Sequence, residues 1–188
     1  LATTKVEICN SALVKIGAEF INDFSDDSTE ARLCNLRYDF IRRKVLRGHP
    51  WNFALKRVQL AKIAAVPLYQ FESQFILPQD VLRVIELADA SDLVDWVVEG
   101  RVLLANQSTA KIKYIANITD TSQFDAHFDE VIAWELAWDL VYKITESISL
   151  RQQLRDDLKD EKPRAMSFDA QEGQLQSVES NEWIDARV

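Results

Sequence analysis

Acid pairs are the side chains in this sequence best suited to chemistry, because two carboxylates can hydrolyse a glycosidic bond when one is held protonated in an apolar pocket. Three pairs qualify by spacing: Asp26 with Asp27, Asp156 with Asp157, and Glu135 with Asp139. The first suits a helix N-terminus, where carboxylates offset the positive end of the dipole, and the second a solvated helix face. Glu135 and Asp139 alone sit in an aromatic setting, between Trp134 and Trp138. Their spacing equally fits the polar edge of a helix or a salt link between subunits, and that reading is adopted. No catalytic residue is assigned.

Other chemistry has less to build on. His49 and His127 are the only histidines and lie far apart in sequence. His49, followed by Pro50, suits packing or capping at a helix end, and His127 suits a solvent-facing first helical turn. Cys9 and Cys34 both fall on apolar helical positions and read as small buried hydrophobes. The sequence holds no Gly-rich phosphate loop, CxxC, HExxH or GxSxG, the motifs that carry a mechanism of their own. No cofactor-binding or metal-binding residue is assigned either.

Arg42, Arg43, Lys44 and Arg47 form a basic cluster in a chain whose net charge is −8. Binding nucleic acid over a whole surface needs an excess of Lys and Arg facing phosphates, which this balance argues against. The cluster suits a helix C-terminus and, at Arg42, Arg43 and Arg47, contact with a neighbouring subunit. An acidic surface would repel DNA and let it slide past.

The elements that must position these residues are mostly helical at the two ends. Residues 3 to 17 read as a helix, with Thr4 or Thr3 as cap, Glu7 at capping-box spacing and Gly17 as a left-handed stop. A second starts at Ser28 and stops at Gly48, His49 and Pro50. It carries one apolar stripe from Ala31 to Val45 and another of Leu33, Leu36 and Phe40, as for a helix packed on two neighbours. Phe20, Ile21 and Phe24 are expected to lock the preceding connection onto the core.

From Phe53 to Ile118 short Val-, Ile- and aromatic-rich runs alternate like strands. They are Phe53 to Leu60, Gln74 to Leu77, Leu82 to Leu87, Val94 to Val98, Val102 to Ala105 and Lys111 to Ile115. Val94 to Ala105 reads as a hairpin turning at Glu99 and Gly100. Helix returns at Phe124, apolar around most of its circumference and hence central, with Asp139 and Lys143 spaced for an i,i+4 pair. Ser149 and Gln152 have capping-box spacing for a fourth helix, which Pro163 should kink or break.

After Gly173 the pattern turns polar but keeps Val178, Trp183, Ile184 and Val188, which suits a frayed terminus or an arm that docks elsewhere, and a Trp with no local core favours the arm. No apolar run of membrane-spanning length and no charged-then-apolar N-terminal signal is present, so synthesis in a cytosol and no membrane are expected. The fold class is α+β, mainly α. A helical bundle (1–52 and 124–173) holds an inserted small antiparallel β-sheet extension (53–123), and an extended C-terminal arm (174–188) follows.

In this order and spacing, the segments ICNSALVKIGAEFI, DDSTEARLCNLRYDFIRRKVLRGHPWNFA, FILPQDVLRVIEL, WVVEGRVLLAN, KIKYIANITDTSQFDAHF and NEWIDARV resemble the tail tubular protein A family over nearly the whole chain. These are head-to-tail adaptor, or connector, proteins of tailed bacteriophages. The resemblance implies a virion protein of the head-tail junction, made in the host cytoplasm. It would form a homo-oligomeric, usually twelve-fold ring beneath the portal protein, offer a platform to a downstream tail or nozzle protein, and let DNA pass during ejection without sequence-specific binding. It implies no cofactor and no enzymatic activity. Helices 4 to 17, 28 to 48 and 124 to 160 would build the ring, and the segment 53 to 118 the extension. Trp183, Ile184 and Arg187 would dock on the portal or a neighbour, and Arg42, Arg43, Arg47, Glu135 and Asp139 would lie between subunits. Pro163 departs from the uninterrupted last helix of such a subunit. The alternatives are a peptidoglycan-degrading tail accessory enzyme working through Glu135 and Asp139, and a DNA-binding regulator using Arg42, Arg43 and Arg47.

Overall fold

Local hydrogen bonding sets the helix ends in the computed structural model, which describes residues 3–88 and 96–172. Helix α1 (Lys5–Ile16) opens on a reciprocal box: the Glu7 amide donates to the Thr4 hydroxyl at 3.2 Å, and the Thr4 amide to the Glu7 carboxylate at 2.6 Å. It closes at Gly17, whose φ of 68° is the left-handed conformation that only glycine adopts freely. Helix α2 (Thr29–Gly48) is capped by Ser28, which accepts from the Ala31 amide, and leaves through an extended His49 before Pro50. These ends follow the sequence reading.

Helix α3 (Ala126–Thr145) starts two residues later than Phe124, because Asp125 is the cap, and ends at Glu146 in the left-handed region. That abrupt end lets helix α4 (Ile148–Glu172) begin at once, so its cap is Ser147, accepting from the Leu150 amide at 3.2 Å, and not Ser149. Pro163 lies inside α4 without ending it. Proline inside a helix costs about 3 kcal/mol and one backbone hydrogen bond. Here the helix is pinned on both sides of it, by buried Leu154 and by buried Ala165 and Asp169.

Helix α3 is the centre of the bundle, with α1, α2 and α4 all packed on it. Phe128, Val131, Ile132, Leu136, Leu140 and Val141 are buried along it, each large side chain contributing about 1.5–3 kcal/mol. Cys9 and Cys34 are free and buried in the same core. A hydrogen bond with Cys34, then burial, pushes the Cys9 thiol up. In the connection after α1, Ile21 and Phe24 pack on the core as expected, but Phe20 is exposed.

The β-rich part comprises β1 (Leu55–Gln59), β2 (Ala61–Lys62), β3 (Ser73–Ile76), β4 (Val81–Leu87), β5 (Trp96–Glu99), β6 (Val102–Ala105) and β7 (Lys111–Ala116). All pairings are antiparallel, but they form two sheets where one was expected, in the orders β1-β7-β4 and β2-β3-β6-β5. The chain changes sheet at Leu60, whose amide donates to Ala110 across the junction. The β5–β6 hairpin forms as expected but turns at Gly100, φ 59°, and Arg101, one residue later than Glu99 and Gly100, because Glu99 still pairs with Val102. Val94 and Asp95, the start of the expected strand, lie outside the described residues.

Bundle and β-rich part share one continuous core. Where they meet, the Trp51 ring stands 5.1 Å from that of Phe128 in an edge-on pair, and Phe53 stands 4.9 Å from Phe128. The indole N–H of Trp51 donates to Val45 at 3.2 Å. This aromatic corner turns the chain from α2 into β1.

Candidate interaction surfaces

Glu135 is the most deeply engaged acid of the bundle. It projects from α3 with 3% of its surface exposed, and its two oxygens accept separately from Lys44 on α2 and Lys162 on α4, each at 2.7 Å. Burial alone would push its carboxyl up, but the hydrogen bonds from Lys162 and Lys44 outweigh that and hold it below the ordinary range. Asp139, one turn on, takes a two-pronged contact from the Arg37 guanidinium at 2.6 and 3.0 Å, not the Lys143 pair its spacing suggested. The two acids are thus held by different cations, and the two lysines on Glu135 oppose the protonated state that a general acid needs.

The basic cluster divides in two. Arg42 is 2% exposed; its guanidinium donates to Asn117 Oδ1 at 2.8 Å, to the Ile118 carbonyl, and to Asp39 at 3.3 Å. It therefore stitches α2 to the chain following β7, and the expected place for it between subunits is corrected to one inside the subunit. Glu135 is corrected in the same way, because both its oxygens are already satisfied within the chain. Arg43 and Arg47 stay exposed, although each also holds a backbone carbonyl, of Asp39 and Leu82 respectively.

His49 packs at the end of α2, as its sequence position suggested, but its partner was not foreseen. Its Nε2 lies 3.0 Å from Asp169 Oδ2, and the Asn52 amide donates to Asp169 Oδ1 at 2.9 Å. Asp169 is 6% exposed and lies 120 residues from His49 along the chain. No local pattern marks it as a partner of His49, since it stands between Phe168 and Ala170 on a helix without a single clear apolar stripe. His127 is exposed, as expected, and its ring stacks on Phe168 with centroids 4.5 Å apart.

Uncovered apolar surface lies on both parts of the molecule. On α2, Leu33 of the second apolar stripe packs on the core as expected, but Leu36 is 72% exposed and Phe40 49%; Arg37 lies over the Phe40 ring. On the β-rich part, the stretch from Ile63 to Phe71 in the β2–β3 connection contains no charged residue and leaves Leu68 98% exposed. Val66, Tyr69, Ile76 and Val98 are also exposed there. Isolated apolar residues on a surface need no explanation, but clusters mark contact sites.

A third feature is a cleft of about 530 Å³ between α2, α3 and α4, floored by Trp138, Leu158 and Met166 and rimmed by Lys44, Arg155, Lys159 and Lys162. Trp183, Ile184 and Arg187, the expected docking residues of the arm, lie outside the described residues. Among the described residues, no group of three or more His, Cys, Asp or Glu is placed to hold a metal ion, and no helix is long and apolar enough to cross a membrane. A scan against protein-family models finds no match to the chain, and a search of curated proteins finds none either.

Proposed function

We propose that the chain is a structural head-to-tail adaptor of a tailed bacteriophage, a ring subunit seated beneath the portal that joins it to the tail and lets DNA pass. The ordered similarity of six segments to the tail tubular protein A family motivates this reading. The observation that carries it on the structure is the pair of uncovered apolar surfaces, Leu36 with Phe40 on the bundle and the Leu68 connection on the β-rich part. A ring subunit needs one surface for its neighbour and another for the next tail component. Burying such patches drives association at about 25 cal/mol per Å², less the cost of fixing the partners.

The acidic balance suits a conduit that does not hold DNA. The hydrolase alternative asks Glu135 to hold a proton that Lys44 and Lys162 oppose, and the DNA-regulator alternative asks for Arg42, which is spent inside the subunit. The test is to mix the chain with purified portal and image the product. Rings at the base of the portal are expected, and portal that stays bare overturns the reading.

A further inference from the structure

The cleft beside α4 combines an apolar floor with a positive rim in a chain that is acidic as a whole. Its floor is Trp138, Leu158 and Met166. On its rim, Lys162 is committed to Glu135, and Lys159 holds only Asp156, in a contact where both side chains are more than half exposed. The Arg155 side chain makes no hydrogen bond or ion pair among the described residues. Glu135 answers two of the cations from below, so the open side of the cleft keeps a positive excess over an indole floor. A ligand that fits it is an acidic peptide carrying a large apolar side chain.

The chain contains one such segment close at hand. Residues 179–185 read ESNEWID: the carboxylates Glu179, Glu182 and Asp185 flank Trp183 and Ile184. We infer that this cleft is a peptide-binding site whose occupant is the chain's own segment 179–185, with Trp183 on the floor and its carboxylates at Arg155 and Lys159. The connection is long enough. From Lys162 to the end of α4 at Glu172 is about 15 Å at ~1.5 Å per residue, and residues 173–182 span up to about 33 Å when extended. A tether of that length supplies an effective concentration in the millimolar range, so modest contacts suffice. This inference does not depend on the adaptor reading; where that reading also holds, the arm is stored on its own subunit until a partner takes it.

Cysteine trapping in the full-length chain tests this, since Cys9 and Cys34 are buried and add little background. Ile184→Cys is combined with Leu158→Cys, with Met166→Cys as a second cleft position, or with Val66→Cys, which lines no part of the cleft. Under mild oxidation at low protein concentration, both cleft pairs are expected to close an intrachain disulfide at least five-fold faster than the Val66 pair. Adding Arg155→Glu with Lys159→Glu, or Trp183→Ala, is expected to bring them down to the control rate. Cleft pairs that close no faster than the control, products linked between chains, or rates that ignore the charge reversal would each overturn the inference. Portal binding, measured separately on the unmodified chain, reports on the adaptor reading alone.

Discussion

Lys162 Nζ donates to Glu135 Oε1 at 2.7 Å while Lys44 Nζ donates to Oε2 at the same distance, so one buried carboxylate ties α2 and α4 to the central helix. Breaking a fully buried ion pair costs about 3–5 kcal/mol. Here the side chains of Lys44 and Lys162 are 46% and 28% exposed, so solvent screens what is left behind. Glu135→Gln is expected to cost about 1–3 kcal/mol in urea unfolding and to leave peptidoglycan turbidity unchanged. Because the folded carboxyl is held below its ordinary range, its contribution is complete above the unfolded value and is lost as pH falls through the folded one.

Asp129 carries the opposite sign. Burial pushes its carboxyl up to about 6, with a hydrogen bond from Thr3 acting against burial, and its Oδ1 has no partner among the described residues. A carboxyl raised on folding opposes folding when ionised in both states, and the penalty is relieved as pH drops from about 6 towards about 4. Asp129 therefore contributes a gain in stability as pH falls across that window, and Asp129→Asn should remove that gain relative to the wild type. Urea midpoints measured from pH 4 to 7 would check it; parallel curves for the two proteins would contradict it.

Asp169 anchors the last turns of α4 to the corner after α2 through His49 and Asn52. Asp169→Ala leaves those donors without a partner in a nearly closed site, which costs about 1–3 kcal/mol per buried group. Hydrogen exchange should quicken in α4 beyond Pro163 before it changes in α1. Uniform loss of protection would mean that α4 is not held locally.

Neighbouring arginines on α2 should separate cleanly. Arg42→Ala removes bonds to Asn117, Ile118 and Asp39 and should destabilise the subunit by about 2–4 kcal/mol. Arg43→Glu with Arg47→Glu, or Leu36→Asp with Phe40→Asp, should shift stability by less than about 1 kcal/mol yet suppress ring formation on the portal. Thermal melts and negative-stain counts read the two effects independently. Surface variants that assemble normally would remove α2 from the proposed interface.

What the sequence made legible was local. Thr4, Ser28 and Gly17 act through bonds spanning three or four residues, and the β5–β6 turn needs only Gly100, so propensity and spacing reveal them. Contacts made at a distance were hidden. The pairing of His49 with Asp169 brings together residues from opposite ends of the chain, and the switch of sheets at Leu60 depends on Ala110. Periodicity also placed Leu36 and Phe40 on an apolar stripe that was expected to be packed, and among the described residues both stay exposed. For Arg42 and Glu135 it gave the charge and missed the burial, because burial depends on the helices and loops packed around them. Of the kink or break expected at Pro163, the break does not occur, because tertiary anchors on either side outweigh a propensity of about 3 kcal/mol.

The central claim is assembly, and its most direct measurement is electron imaging of purified portal incubated with the full-length chain. A continuous ring of subunits at the base of the portal is expected, lost with Leu36→Asp and Phe40→Asp. Bare portals at saturating protein, with the chain itself folded, would contradict it.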